Sequence, residues 1–211
     1  MPLPMVHLGT AREYASNHSS ILNCPEYYLG SISPDAIHMR KNIRKEDKQN
    51  THLCVSGDFN INKVIKFLIE KEKKDNYKFI LGYGVHILTD IIWSNTLYKK
   101  FELKYKKEFD SLHDIKDAYY NDTDQLDFEL YKTFNWRPIV WDLLKKAKGY
   151  DVDGILSSDE ITAWNERTLN WYNCGKSNHN DPIKYLTVED LIQFTRNTAK
   201  KIKEILVTEG L

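Results

Sequence analysis

The stretch Gly82-Tyr83-Gly84-Val85-His86-Ile87-Leu88-Thr89-Asp90-Ile91-Ile92-Trp93 limits what this chain can fold into more than any other segment. Apolar or small residues at Phe79, Gly82, Tyr83, Val85, Leu88, Ile92 and Trp93 recur with helical spacing, which predicts the middle of a long helix. His86 and Asp90 are four apart, so their side chains stack on one face of that helix. No Lys or Arg stands between Lys78 and Lys99 to neutralise them. Burying an imidazole and a carboxylate there is costly unless they pair with each other or bind a metal. Two readings follow: a His–Asp hydrogen bond that locks helix packing, or two ligands of one divalent cation, commonly zinc.

The flanking segments extend the helical pattern. Met5, Leu8, Ala11 and Ala15 form a stripe over 5–20, with His7 close to it. Pro34 fits the first position of a short helix that Ser33 could cap, and Asp35 at that bend either projects into a cavity or favours the helix start through its charge. Residues 40–50 are highly charged and read as a solvated loop, followed by Thr51-His52-Leu53-Cys54. Asp58 or Asn60 can cap a helix over about 61–74, and the central helix runs over about 76–107. His113 and Asp117 repeat the His-x-x-x-Asp spacing on a more polar helix. The acidic stretch 121–127 reads as the cap of a further helix ending near Phe134, and it lacks the glycine and glutamate of a calcium loop. Further helices are predicted from Pro138 to about 148 and from Ser157 or Ser158 to about 173. A polar loop over 174–186 carries His179, and the last helix opens at Thr187-Val188-Glu189-Asp190, which resembles a capping box. Almost no alternating strand pattern is visible. The expectation is an all-α fold, a single-domain multi-helix bundle over 1–211.

Bulk numbers restrict the partners. Lys plus Arg equals Asp plus Glu, for a formal net charge of zero. A protein that holds a long polyanion usually carries a basic excess, so no stable nucleic-acid partner is expected, although a short phosphodiester remains open as a substrate. Cys24, Cys54 and Cys174 are odd in number and irregularly spaced, without a disulfide framework, which suits a reducing compartment. The start lacks a basic region followed by an apolar run, and the segment 77–93 is interrupted by Lys78, His86 and Asp90. Neither a signal peptide nor a membrane span is therefore expected, and the expected location is the cytoplasm. Oligomeric state is open.

His7, Asp35, His52, His86 and Asp90 together make a set of isolated imidazoles and carboxylates in or beside apolar helical segments. Four pieces of sequence carry them in order: Pro-Met-Val-His7, Tyr-Leu-Gly-Ser-Ile-Ser-Pro-Asp35, Thr-His52 and Gly-Tyr-Gly-Val-His86-Ile-Leu-Thr-Asp90. This ordered set resembles the zinc-dependent phospholipase C family, which is related to the single-strand nucleases with trinuclear zinc sites. The resemblance covers roughly the first half of the chain and implies a helical fold around a metal cluster. It implies that Asp35, His52, His86 and Asp90 hold one zinc, with Asp90 bridging to a second that also takes His7. A third family zinc uses a histidine shortly after the bridging aspartate, where Asn95 and Thr96 stand here, and then a His-x-x-x-Glu pair for which His113 and Asp117 could stand. Two zinc ions are expected, with a third if His113 and Asp117 serve. Secreted family members also use a processed N-terminal amine, which a methionine start makes unlike this chain, leaving His38 or water as the further donor.

What the resemblance implies chemically is phospholipase C-like hydrolysis of a phosphodiester by a zinc-bound water, with Asp35 orienting or deprotonating that water. The substrate class would be a small phosphoester or a phospholipid head group. Tyr83, Trp93 or Trp136 could line its pocket, although most aromatics in a helical protein are core. No Ser–His–Asp order, GxSxG elbow, Walker loop or GxGxxG loop competes. Two alternatives stand: an HD-type phosphohydrolase built on His113-Asp114 with His52 and His86, and a non-catalytic helical protein holding a metal for stability. His18 and His179 are expected at the surface.

Overall fold

The computed structural model describes residues 2–54, 57–173, 177, 179 and 181–211. Across these the fold is all-α, 71% helical, with eleven helices and no strand. In chain order they are α1 (Pro4–Ala15), α2 (Ser19–Leu22), α3 (Pro25–Gly30), α4 (Lys45–Thr51), α5 (Ile61–Lys71), α6 (Tyr77–Trp93), α7 (Lys99–Tyr105), α8 (Leu112–Thr133), α9 (Arg137–Leu144), α10 (Ser158–Trp171) and α11 (Val188–Thr208). A 3-10 segment, Ser33–Met39, follows α3, and a π-helical stretch, Ser94–Tyr98, joins α6 to α7.

Local chemistry sets many of the boundaries. Pro4, Pro25 and Pro138 lie in the opening turns of α1, α3 and α9, where a missing N–H costs nothing. The Asn60 side chain accepts from the Lys63 N–H at 3.2 Å and starts α5. Thr187 and Asp190 exchange the two bonds of a capping box at α11, at 3.1 and 2.9 Å. Ser157 and Glu160 do the same at α10.

Helix α6 is buried all round from Phe79 to Trp93 apart from Leu81 and forms the axis of the molecule. It packs against α1, α3, α5 and α11. The α3–α6 crossing depends on two glycines. A Cβ on Gly82 would stand 2.0 Å from the Tyr27 carbonyl oxygen, and one on Gly30 would stand 2.0 Å from the Phe79 carbonyl oxygen. Only hydrogen at both positions lets the two backbones approach this closely. One contiguous hydrophobic core surrounds this crossing.

Three expectations need correction. Residues 45–50 of the charged 40–50 segment belong to α4 rather than a loop, because Arg44 and Asp47 neutralise each other at its start, at 3.0 and 3.1 Å. The acidic stretch 121–127 does not begin a helix; it lies inside the continuous α8. Its carboxylates bind distant backbone instead: Asp122 accepts from the N–H groups of Lys184, Tyr185 and Leu186, and Asp127 accepts from the Met5 N–H and the Tyr172 hydroxyl. Ser33 does not cap the 3-10 segment; its hydroxyl donates to the Leu29 carbonyl at 2.7 Å. No helix among the described residues is long and apolar enough to cross a membrane. Cys24 and Cys54 are free thiols, and Cys174 lies outside the described residues.

Candidate metal centre

Five side chains from four segments meet beside α6. His86 and Asp90 come from α6 itself and His7 from α1. Asp35 comes from the 3-10 segment and His52 from the residue that closes α4. All five are buried, from Asp90 at 0% exposure to Asp35 at 8%. Their ligating atoms form two overlapping groups, His7–His86–Asp90 and Asp35–His52–His86, with every ligating atom in a group within 4.8 Å of the others.

Asp90 faces both groups. Its Oδ1 is 3.6 Å from His7 Nε2, while its Oδ2 is 3.5 Å from both His52 Nε2 and His86 Nε2. Asp35 completes the second group, with Oδ1 3.5 Å from His52 Nε2 and Oδ2 3.9 Å from His86 Nε2. The His7 and His86 rings stack at 3.6 Å between centroids, 7° from parallel.

These separations are too long for hydrogen bonds. Both oxygens of Asp90, both ring nitrogens of His7, and Nε2 of His52 and His86 are buried without a hydrogen-bond partner. Such groups are rarely left unpaired in a folded interior. Atoms bound about 2 Å from one tetrahedral zinc stand roughly 3.3 Å apart, so the observed spacing suits donors arranged around a cation. The donor set therefore fits a metal, and buried His/Asp groups able to hold one are present.

The far nitrogens fix the rings. His86 Nδ1 donates to the Ser31 carbonyl at 2.9 Å, which leaves the Nε2 lone pair directed at the cluster. His52 Nδ1 lies 3.1 Å from the Lys48 carbonyl and 2.9 Å from Thr51 Oγ1 and is held the same way. Leu53, next in the chain, takes the left-handed conformation, φ 52°, that turns the backbone away from α4. Ser31 reaches His86 only because Gly30 and Gly82 bring α3 against α6.

Electrostatics favour the metal-binding forms of His7, Asp35 and Asp90. Burial, reinforced by His86, lowers His7 to about 3, so its imidazole is neutral at pH 7. Burial pushes Asp35 and Asp90 upward. The neighbouring imidazoles, chiefly His52 and His86 for Asp35 and His86 for Asp90, outweigh burial and hold both carboxyls below their ordinary range. His86 itself is raised, because Asp90 and Asp35 outweigh its burial. A bound divalent cation would supply positive charge facing the two carboxylates.

The other candidate residues lie elsewhere. His113 and Asp117 sit 3.5 Å apart on an exposed face of α8, at 80% and 64% side-chain exposure, and belong to neither donor group. They therefore do not extend the cluster, because the polar start of α8 faces solvent. Asp114 exchanges hydrogen bonds with Ser111 as the cap of α8. His18 stacks on Tyr14, and His179 pairs with Asp124 at 3.1 Å. Tyr83 and Trp93 are core side chains, and Trp136 stacks on Phe134, so none of the three lines the cluster's entrance.

That entrance is a pocket of about 270 Å³ bounded by Asp35, His38, Lys48, Tyr120, Trp164 and Arg167, with Thr168, Trp171 and Pro2–Pro4 completing it. His38 is thus a wall residue and stands outside both donor groups. Sequence reasoning did not find the α10 side of this wall. Its trace is the spacing Trp164-x-x-Arg167-x-x-x-Trp171, three side chains on one helical face. The Arg40 guanidinium holds the Asp35-bearing segment to α10 through Glu160, at 2.7 and 3.1 Å, and through the Ile155 carbonyl. Comparison with family models, curated proteins and solved structures finds no match to this chain.

Proposed function

We propose that this chain is a metal-dependent hydrolase of phosphate esters, similar in action to the zinc-dependent phospholipases C. One observation carries the reading: five buried acids and imidazoles converge, those of His7, His52, His86 and Asp90 with ligating atoms unpaired, beside an open pocket that shares Asp35 with them. Zinc suits a set of three imidazoles and two carboxylates, and Asp90, with Oδ1 facing His7 and Oδ2 facing His52 and His86, would be placed to serve either of two ions. His7 and Asp90 Oδ1 would serve one ion, and Asp35, His52, His86 and Asp90 Oδ2 the other.

Bound zinc supplies Lewis acidity toward phosphoryl oxygens and lowers the pKa of a coordinated water from about 16 toward 7. The chain's own residues do the rest. Asp35 belongs to both the donor cluster and the pocket wall, so its carboxylate is placed to orient, or accept a proton from, a water that enters from the pocket. Ser31 and Lys48 keep the imidazoles aimed, and the surrounding core excludes bulk water from His7 and Asp90. In the overall reaction a water oxygen bonds to phosphorus and the P–O bond to one alcohol breaks. That alcohol leaves with a proton, and a phosphomonoester remains.

The test is metal content by mass spectrometry together with hydrolysis of bis(p-nitrophenyl) phosphate. The expected result is about two zinc ions per chain and turnover abolished by chelation and restored by zinc. Metal without turnover on any phosphoester would overturn the enzymatic reading and leave a structural metal protein.

A further inference from the structure

The pocket over Asp35 carries positive charge and unused hydrogen-bond donors. Arg167 lies across two indoles, its guanidinium carbon 4.9 Å from the Trp164 ring centroid and 4.7 Å from that of Trp171. It forms no ion pair with a carboxylate among the described residues, nor does the Lys48 ammonium across the pocket. Two further polar groups of the wall are buried without a partner: the indole N–H of Trp164, in a residue 6% exposed, and the hydroxyl of Thr168, in a residue 2% exposed. Neither atom is accessible from the pocket, so the wall's open donors are those of Arg167 and Lys48. The one carboxylate in the wall is Asp35, which belongs to the metal cluster. His38, also in the wall, is held below its ordinary pKa by burial and by Lys48 and Arg167, against the pull of Asp35.

We infer that this pocket is an anion subsite, and that the substrate is a phosphoester whose non-reacting arm bears a second anionic group such as a phosphate. The inference rests on the hydrolase reading for its reacting centre and adds what lies beyond it. Arg167 and Lys48 bind the distal anion. A cationic arm is disfavoured on two grounds. Both cations of the wall would repel it, and the indole faces that would hold a quaternary ammonium already hold Arg167. The indoles also fix the guanidinium plane, which favours paired bonds to a planar or tetrahedral oxyanion.

The experiment uses three p-nitrophenyl phosphodiesters with the same reacting centre, formed from ethanol, choline and 2-phosphoethanol. The zinc-loaded protein is expected to show a KM for the 2-phosphoethyl ester roughly tenfold below that of the ethyl ester, with the choline ester weakest. Arg167→Gln should bring the ratio of the first two toward one, Arg167→Lys should restore part of it, and the remote surface change His113→Ala should leave it as it was. A choline ester turned over as well as the 2-phosphoethyl ester, or an unaltered ratio in Arg167→Gln, overturns the subsite. A second readout separates the two proposals: tryptophan fluorescence of the zinc-loaded protein and of its Arg167→Gln variant, titrated with ethylene glycol bisphosphate and with phosphocholine. Arg167-dependent binding of the bisphosphate without hydrolysis of any ester keeps the subsite and removes the hydrolase. Hydrolysis without charge discrimination does the reverse, and absence of both removes both.

Discussion

At the scale of single residues, the centre is defined by what its atoms lack. Asp90 is fully buried among three imidazoles, yet neither oxygen accepts a hydrogen bond. His86→Ala and Asp90→Ala should each remove metal and lower stability by about 3 kcal/mol or more, since each leaves charged or polar neighbours unpaired in the interior. Metal per chain by mass spectrometry and the melting temperature of each variant check this; unchanged values in both would end the metal assignment. His113→Ala is the contrasting case. Its ring is 80% exposed and outside both donor groups, so metal content should hold and stability should change by less than about 0.5 kcal/mol. His86 and His113 have the same His-x-x-x-Asp spacing, and what separates them is the company along the helix. Apolar residues surround the first and predicted burial; the second sits at a polar helix start.

At the scale of elements, the α3–α6 crossing positions the imidazoles. Gly82→Ala places a methyl carbon 2.0 Å from the Tyr27 carbonyl oxygen, a backbone atom that cannot rotate away. The expected cost is about 3 kcal/mol, together with weakened metal binding, because separating α3 from α6 also separates the Ser31 carbonyl from His86. Denaturant unfolding and zinc titration measure the two effects. Helix α6 itself was legible from its apolar periodicity, its glycines included, but not the partner each glycine admits. The α4 region was misread because its charges suggested solvent alone, whereas the Arg44–Asp47 pair closes a helix turn. The acidic run in α8 was misread because its partners lie far along the chain, at Met5, Tyr172 and 184–186.

At the scale of the whole molecule, metal and proton both act on global stability. Chelation of the loaded protein should lower its melting temperature by roughly 10 °C, the equivalent of about 4 kcal/mol for metal present at 1,000 times its Kd. Differential scanning calorimetry before and after chelator tests this, and an unchanged transition would exclude a buried ion. Asp127 supplies a pH dependence of its own. Burial is the main cause that raises it to about 7, with Asp124 adding to the rise against the opposing bonds from Tyr172 and Met5. The folded state then retains a proton that the unfolded chain releases from about 4 upward. The stability this proton gives is complete at low pH and is lost as pH rises through 7. Asp127→Asn keeps a neutral side chain at every pH. Relative to the parent its melting temperature should be similar at pH 4 and higher by several degrees at pH 8. A constant difference across that range would refute the assignment.

The amino-acid order alone determined the helical class, the axial helix and its buried His86–Asp90 pair, since these depend on local periodicity and on polar groups set in apolar surroundings; that His7, Asp35 and His52 join the pair was an implication of the family resemblance. Tertiary structure decided that Asp90 turns one oxygen to each donor group, that His113 and Asp117 stay in solvent, and that α10 walls the entrance with Arg167 between two indoles. Those outcomes turn on how residues remote in sequence are brought together: the Gly30–Gly82 approach for the cluster and the Arg40–Glu160 pair for the α10 wall. Periodicity along one strand of chain contains no term for that approach.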